Sequence, residues 1–334
     1  MPIDLDALSA LIADRALVIV IALILDAILG GVLARLSWLR SERWAGRITG
    51  LLDRRLNRER RSDQARTIRG VAAIVMIAGL AAAAGVAAER LLEWAGFLSV
   101  TAMIVLVAAG FGQRRLIGPL AKAALFIATG QIAEARRALA PIMGRDTGHL
   151  DQHGLARAGV EAAAERLAFG MVAPAAWFML FGLPGLFVQR AVDAADHLIG
   201  YRTARHQAFG LATARLNDAL TLIPSLIAAL LAALAAAFVP RGMPLAAAAA
   251  LYRGPWRSPL RAALWPEAAF AGALGLALGG PRQYGTDRHF APWVNPGGRA
   301  RAEAADLRRA LYLFIVSNLL LAGLALLIGL AAES

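Results

Sequence analysis

The sequence predicts an all-α protein: a polytopic integral membrane helical bundle of about five spans plus one or two broken or re-entrant helices. Three observations lead there. Hydrophobic residues make up 59% of the 334 residues, with a mean hydropathy of +0.58, whereas soluble domains hold roughly 45–50% apolar residues. Apolar runs at 16–34, 71–88, 94–112, 221–239 and 311–332 are long enough to cross about 30 Å of hydrocarbon, which takes roughly 20 helical residues. The net charge of +12 is nearly all arginine, gathered between the runs, and an excess of basic residues marks the cytoplasmic loops of membrane proteins.

Taken in order, the first run follows an acidic stretch (Asp4, Asp6, Asp14) without an A-x-A-like cleavage site, so it reads as a retained signal anchor. Between Arg35 and Arg69 stand eleven arginines against Glu42, Asp53, Glu59 and Asp63. That loop is expected in the cytoplasm, with the N-terminus outside, 89–93 as a short outer turn and 113–170 inside again.

Segment 113–170 reads as helix. In "GQIAEARRALAPIM", Ile132, Ala135, Leu139 and Ile142 recur near helical spacing, with Arg136 and Arg137 on the other face. Gly144 ends the pattern. Asp146 or Thr147 is then placed to cap a helix over about 155–168, on which Glu161 and Glu165, four apart, share one face. The apolar stretch 171–188 is interrupted by Pro174, Gly182, Pro184 and Gly185. It is either a kinked span or a re-entrant helix, and the topology beyond 170 stays open between them. A shorter apolar candidate is 267–279, inside a loop-rich region 240–310, and a final helix is expected over 303–331. The whole chain, 1–334, reads as one membrane domain with polar loops at 35–70, 113–170, 189–215 and 240–310, and no internal repeat.

The absence of cysteine excludes disulfides, zinc-thiolate sites, Fe–S clusters and cysteine nucleophiles. No G-x-x-x-x-G-K-[ST], G-x-G-x-x-G or G-x-S-x-G motif occurs, so any ATP site is not a standard nucleotide fold. Basic residues that flank spans need no nucleic-acid partner. His149 and His153 are four apart, but Gly148 and Gly154 argue against a regular helical metal pair.

Carboxylates and arginines cluster in three places: Arg145, Asp146, Thr147, Glu161 and Glu165; Asp193, Asp196 and Tyr201; Arg215 and Asp218. Each has a plain reading. Arg145-Asp146-Thr147 suits a helix cap beside a solvated arginine, and Arg157, four before Glu161, suits a salt-bridged face. Acidic residues entering membrane helices, Asp26 included, are costly and mark function more often. Paired carboxylates at 161/165, 193/196 and 218 are the kind that hold Mg²⁺ with phosphate oxygens and water. Arg145, Arg202 and Arg215 suit bidentate phosphate binding, and phosphoryl transfer asks little beyond such positioning.

The order and spacing of these pieces resemble the CobD/CbiB family, the adenosylcobinamide-phosphate synthases of cobalamin biosynthesis. The matching stretches are Asp26 in "LILDAILG", "GQIAEARRALAPIMGRDTGHLD", "RAGVEAAAERLAFGMVAPAAWFMLFGLPG", "VDAADHLIGY", "FGLATARLNDALTLIPSL" and "WPEAAFAGALGLALGGPRQYG", over about 16–285. The resemblance implies a ligase of the bacterial inner membrane, its site facing the cytoplasm. It would join the propionate carboxylate of adenosylcobyric acid to the amine of aminopropanol or its phosphate, using ATP and Mg²⁺. Zinc, haem and Fe–S are not implied. Membrane lipid, a corrinoid substrate and other enzymes of cobalamin biosynthesis are the expected partners, and nucleic acid is not.

Carried over by position, the resemblance implies Asp146, Glu161, Glu165, Asp196 and Asp218 as catalytic. Arg145, Thr147, Tyr201, Arg215 and Tyr284 would bind substrate or phosphate, and Glu161, Glu165 and Asp218 would hold Mg²⁺. The chain departs from the family pattern at Gly31, Arg166, Phe169, Asp193, His197, Asn217, Thr221 and Leu226. These departures keep a second reading in view, a catalytically degenerate membrane paralogue with a regulatory or scaffolding role, like the AmpE proteins. A small transporter built on Asp26 and the broken segment is a third, for which internal symmetry is expected and absent.

Overall fold

Apolar runs of this length bury their backbone polar groups in helix, because a lipid-facing segment has no water to satisfy them. The computed structural model describes residues 5–33, 41–58, 60–143, 148, 150–200, 205–254, 258, 261–280, 282–284, 287–289 and 292–333. Its helices are α1 (Leu5–Leu33), α2 (Ser41–Leu56), α3 (Asp63–Glu93), α4 (Leu98–Gly110), α5 (Gln113–Ala128), α6 (Ile132–Leu139), α7 (Gln152–Leu167), α8 (Ala173–Ile199), α9 (Leu211–Ala235), α10 (Pro244–Arg253), α11 (Leu264–Leu274) and α12 (Ala304–Glu333). Short strands β1 (Leu278–Gly279), β2 (Arg282–Tyr284), β3 (Asp287–His289) and β4 (Trp293–Val294) lie between α11 and α12.

Among the described residues, six helical stretches are long and apolar enough to cross a membrane: Ala10–Leu33, Asp63–Glu93, Leu98–Ala128, Gln152–Ile199, Leu211–Phe238 and Ala304–Glu333. The five expected runs fall one in each of five of these, and the broken 171–188 segment lies in the sixth. The chain is therefore a multi-pass membrane protein. It divides into two compact units, Met1–Phe111 with Ala173–Thr221 and Ala322–Ser334, and Gly112–Val172 with Leu222–Leu321.

In the first unit, α8 packs on α2 and α3. The sequence "FGLPG" interrupts it: Gly182 takes φ 65° and ψ −149°, a region only glycine occupies comfortably. The interruption frees backbone groups, and two charged side chains collect them. The Arg15 guanidinium donates to the Met179 and Leu180 carbonyls at 3.0 and 3.1 Å. A Glu89 carboxylate oxygen accepts from the Leu183 N–H at 2.8 Å. Gly85 of α3 lies against the backbone of Leu183 and Pro184, where a side chain would overlap it. Trp177 stacks on Phe181 and donates its indole N–H to the Leu220 carbonyl at 2.8 Å.

The loops expected at 35–70 and 189–215 are in part helical. α2 occupies 41–56 because small and polar residues (Ser41, Ala45, Thr49) recur at helical spacing and bury one face. Leu52 and Leu56 follow on that side, against Ala73, Ile199 and Phe209. Residues 189–199 continue α8, and their polar groups turn inward: Arg190 pairs with Glu42 and with Asp193, the latter at 2.8 Å. Below α2, Asp53 accepts from Asn57 at 2.8 Å and from Arg205 at 2.9 Å, while Arg66 donates to Asn57 at 2.9 Å and to the Arg205 carbonyl.

In the second unit, α7 packs on α5, α6 and α11, and α11 on α10. Gly159 lies against Leu120 of α5 and Leu307 of α12. The expected span at 267–279 is not one. α11 has 11 residues and ends at Gly275 in the left-handed conformation; at 1.5 Å per residue it reaches only about 17 Å. Its residues from Trp265 to Leu274 are all buried, so the apolarity serves burial within the unit. The loop-rich 240–310 region also holds α10 and two antiparallel ladders, β1 with β4 and β2 with β3, a small departure from an all-α fold.

Two outcomes follow for the first unit. Gly182→Ala forces a Cβ into the Glu89 carboxylate and a backbone region that costs about 1–3 kcal/mol, so the thermal midpoint in detergent drops clearly. Burial opposes ionisation of Asp53, but hydrogen bonds from Asn57 and Arg205 and the charges of Arg205 and His206 outweigh it and hold its carboxyl below the ordinary range. A carboxyl so lowered stabilises the fold above its unfolded value of about 3.9, and the contribution is lost as pH falls through the folded value. The gap in thermal midpoint between the native chain and Asp53→Asn is therefore present at pH 5 and closes below about pH 4.

Candidate active site

The second unit builds its polar site on α7. Asp151 starts the helix by accepting the Gly154 N–H at 2.7 Å, so the expected cap role at Asp146 or Thr147 belongs to Asp151. The helix begins at 152, slightly before the expected 155, and its end runs into one π turn, Ala168–Val172. Such turns recur at functional sites.

Arg157, Glu161 and Glu165 follow one another at four-residue steps on one face of α7. Glu161 is only 5% exposed, and its Oε1 accepts the N–H of Gly279 at 2.9 Å. Gly279 and Gly280 both have φ of +76°, and a Cβ on Gly280 would stand 2.7 Å from the Trp293 indole. Trp293 faces Gly279 across the β1–β4 ladder. The Arg157 guanidinium lies 5.1 Å from the centre of the Trp293 ring, within cation–π range, and donates to the Ala300 carbonyl at 3.0 Å. Glu165, one turn on, is half-buried. A carboxylate is thus fixed by a glycine turn, with a guanidinium held on an aromatic face one helical turn away.

The first unit holds the other predicted carboxylates. Asp196 accepts the Asn217 amide N–H at 3.0 Å, and His197, Asp193 and Asp218 are close enough to act on its charge. Asp193 belongs to the Arg190 and Glu42 cluster and also lies 3.5 Å from His197, which gives it a partnered, structural place. Asp218 is half-buried and Arg215 exposed. Asp26 is 3% exposed within α1. The buried oxygens Asp196 Oδ1, Asn217 Oδ1, Thr213 Oγ1 and Thr221 Oγ1 have no hydrogen-bond partner among the described residues.

Not every predicted residue enters this picture. Arg145, Asp146, Thr147, Tyr201, Arg202 and His149 lie outside the described residues. Tyr284 ends strand β2. His153 meets the Ala302 carbonyl at 2.9 Å. Of the suggested magnesium ligands, Glu161 and Glu165 are in the second unit and Asp218 in the first. Among the described residues no group of three or more His, Asp or Glu side chains is placed to hold a metal. Magnesium typically takes only one or two protein carboxylates, and the Glu161 and Glu165 face fits that need.

Three of the departures expected from the resemblance are placed by the structure. Asn217 is one of them. An aspartate there would put two carboxylates about 3 Å apart, which raises the pKa of one; the amide instead donates to Asp196. Arg166 packs its side chain over Gly170 and near Gly112. Phe169 is buried in the π turn. Sequence reasoning passed over Gly279, Gly280 and Trp293 as site residues. The adjacent glycines in "LGGP" were the available signal, since paired glycines mark close backbone approach.

Fold and site together define a multi-pass membrane protein whose second unit holds a carboxylate site closed by a Gly-Gly turn. Residues 19–314 match the family described as CobD/Cbib protein, and the chain belongs to that family. Curated proteins named cobalamin biosynthesis protein CobD are similar to it. One from Sinorhizobium sp is 36% identical over 94% of this chain and 98% of its own length. That of Rhizobium meliloti (strain 1021) is 36% identical over 90% and 93%, and that of Rhodobacter capsulatus 35% over 86% and 88%. No solved structure matches.

The Glu161 contact is testable. Glu161→Ala leaves the buried Gly279 N–H without its acceptor, a loss of about 1–3 kcal/mol, whereas Glu161→Gln keeps an acceptor oxygen. Thermal unfolding in detergent is expected to show a clear loss for the alanine variant and a small one for glutamine. Equal losses would show that the charge and not the hydrogen bond matters.

Proposed function

We propose that this chain acts in cobalamin biosynthesis as an adenosylcobinamide (phosphate) synthase, an ATP-dependent acid–amine ligase of the bacterial inner membrane. The observation that carries the reading is the Glu161 to Gly279 hydrogen bond. It joins two of the motifs that the chain retains, E-x-x-x-E and G-G-P-x-x-Y, within one unit. Relatives named for cobalamin biosynthesis over nearly the full length favour this reading over a degenerate paralogue.

A carboxylate is a poor acyl donor. In the proposed reaction a carboxylate oxygen of adenosylcobyric acid bonds to the γ-phosphorus of ATP and ADP departs. The amine of aminopropanol or its phosphate then attacks the acyl carbon, phosphate leaves with the bonding pair, and the amine proton passes to a carboxylate base. Catalysis of this kind rests on positioning and on charge placed where charge develops. Glu161 and Glu165 would hold Mg²⁺, which when bound neutralises the phosphate oxygens. Arg145, Thr147, Arg215, Tyr201 and Tyr284 would bind phosphate and substrate, while Asp146, Asp196 and Asp218 are the candidates for proton transfer. The arginine-rich 35–70 segment would face the cytoplasm, where ATP is.

The test is direct. The chain in nanodiscs, given adenosylcobyric acid, Mg-ATP and aminopropanol phosphate, is expected to give the amide by mass spectrometry. Asp146→Ala and Glu165→Ala are each expected to abolish turnover while remaining folded. No product beside an active relative would overturn the ligase reading, and full activity of both variants would overturn the site assignment.

A further inference from the structure

Between the long apolar helices α1 and α3 lies α2, which is amphipathic. Its acidic residues do not face outward. Glu42 is held by Arg190 and Asp53 by Arg205 and Asn57, each with a side chain 14% exposed. The buried residues Ser41, Ala45 and Thr49 define the inner face. The opposite face carries Arg43, Arg47 and Arg54, all exposed. At 100° per residue these three fall within an arc of about 40°. None of their guanidinium groups has a hydrogen bond or ion pair with a described residue. Leu51, 56% exposed, sits at the edge of the same arc.

The tethers set where this face can be. Seven residues separate Leu33 from Ser41, and six separate Leu56 from Asp63. At no more than about 3.6 Å per residue, neither reaches beyond about 25 Å. A helix held at both ends that close to two candidate spans, α1 and α3, stays in the headgroup region. An arc of unpaired arginines with an exposed leucine at its edge has the composition of an interfacial helix. Arginine binds phosphate oxygens bidentately, and a phospholipid surface offers phosphates in a plane.

We propose that the outer face of α2 binds anionic phospholipid headgroups through Arg43, Arg47 and Arg54. The site is independent of the ligase reaction. Inward turning of both acidic residues is what makes it selective: no carboxylate of the helix remains outward to repel an anionic lipid.

Native mass spectrometry of the full chain, delipidated in detergent and mixed with equal phosphatidylglycerol and phosphatidylcholine, tests this. The native chain is expected to retain phosphatidylglycerol at least several-fold over phosphatidylcholine. Arg43→Gln with Arg47→Gln and Arg54→Gln is expected to lose most of that preference, while the lysine versions of the same three keep it. A charge-matched control, Lys122→Gln with Arg261→Gln and Arg301→Gln, is expected to behave as the native chain. Undiminished preference in the α2 glutamine variant, or an equal loss in the control, overturns the proposal. So does inorganic phosphate displacing the lipid at millimolar concentration, since that makes the face a free-phosphate site.

Discussion

The first unit depends on how a broken helix is satisfied within a stretch long and apolar enough to span a membrane. Where α8 opens at Gly182, carbonyls at 179 and 180 and the N–H at 183 lose their helical partners. In lipid each unmade bond would cost several kcal/mol. Arg15, from α1, covers the carbonyls, and Glu89, from α3, covers the N–H. Two charges that would be expensive alone therefore neutralise one another's surroundings while capping the break. The same contacts fix three helices against one another, and Gly85 permits the approach. The second half of α8 then carries Arg190, Asp193 and Asp196 to their partners on α2 and α9.

The second unit uses a related device at smaller scale. A glycine pair with left-handed backbone would be loose by itself. Glu161 receives its N–H, and Trp293 closes over the Cα of Gly280. The hydrogen bond specifies the turn, and burial strengthens it by removing competing water. Arg157 adds a positive group that stays fixed because its plane rests on the indole. In the first unit, buried oxygens on α9 and α8 have no hydrogen-bond partner among the described residues. Such groups are rare in native proteins and recur at catalytic sites.

Much of the fold was legible because membranes impose a strong one-dimensional constraint. The apolar runs located the spans, and Gly182 with Pro184 located the break. Residues 189–199 and 41–56 were read as loop for the opposite reason. Their charged residues are satisfied by partners far away in sequence, such as Glu42 for Arg190, and charge alone looks like solvation. α11 misled in the other direction, since an apolar helix buried by protein has the composition of one buried by lipid.

For the site, the sequence by itself determined the helix face that Arg157, Glu161 and Glu165 share, because helical period depends only on spacing. It also determined that a multi-pass membrane protein with CobD-like motifs was to be expected, because hydropathy and motif order are properties of the chain. Only the tertiary structure decided that Glu161 meets Gly279, that Asn217 donates to Asp196, and that Arg15 and Glu89 close the break in α8. Each of these contacts joins residues more than 20 positions apart, and a hydrogen bond is decided by distance in space, which local sequence does not encode.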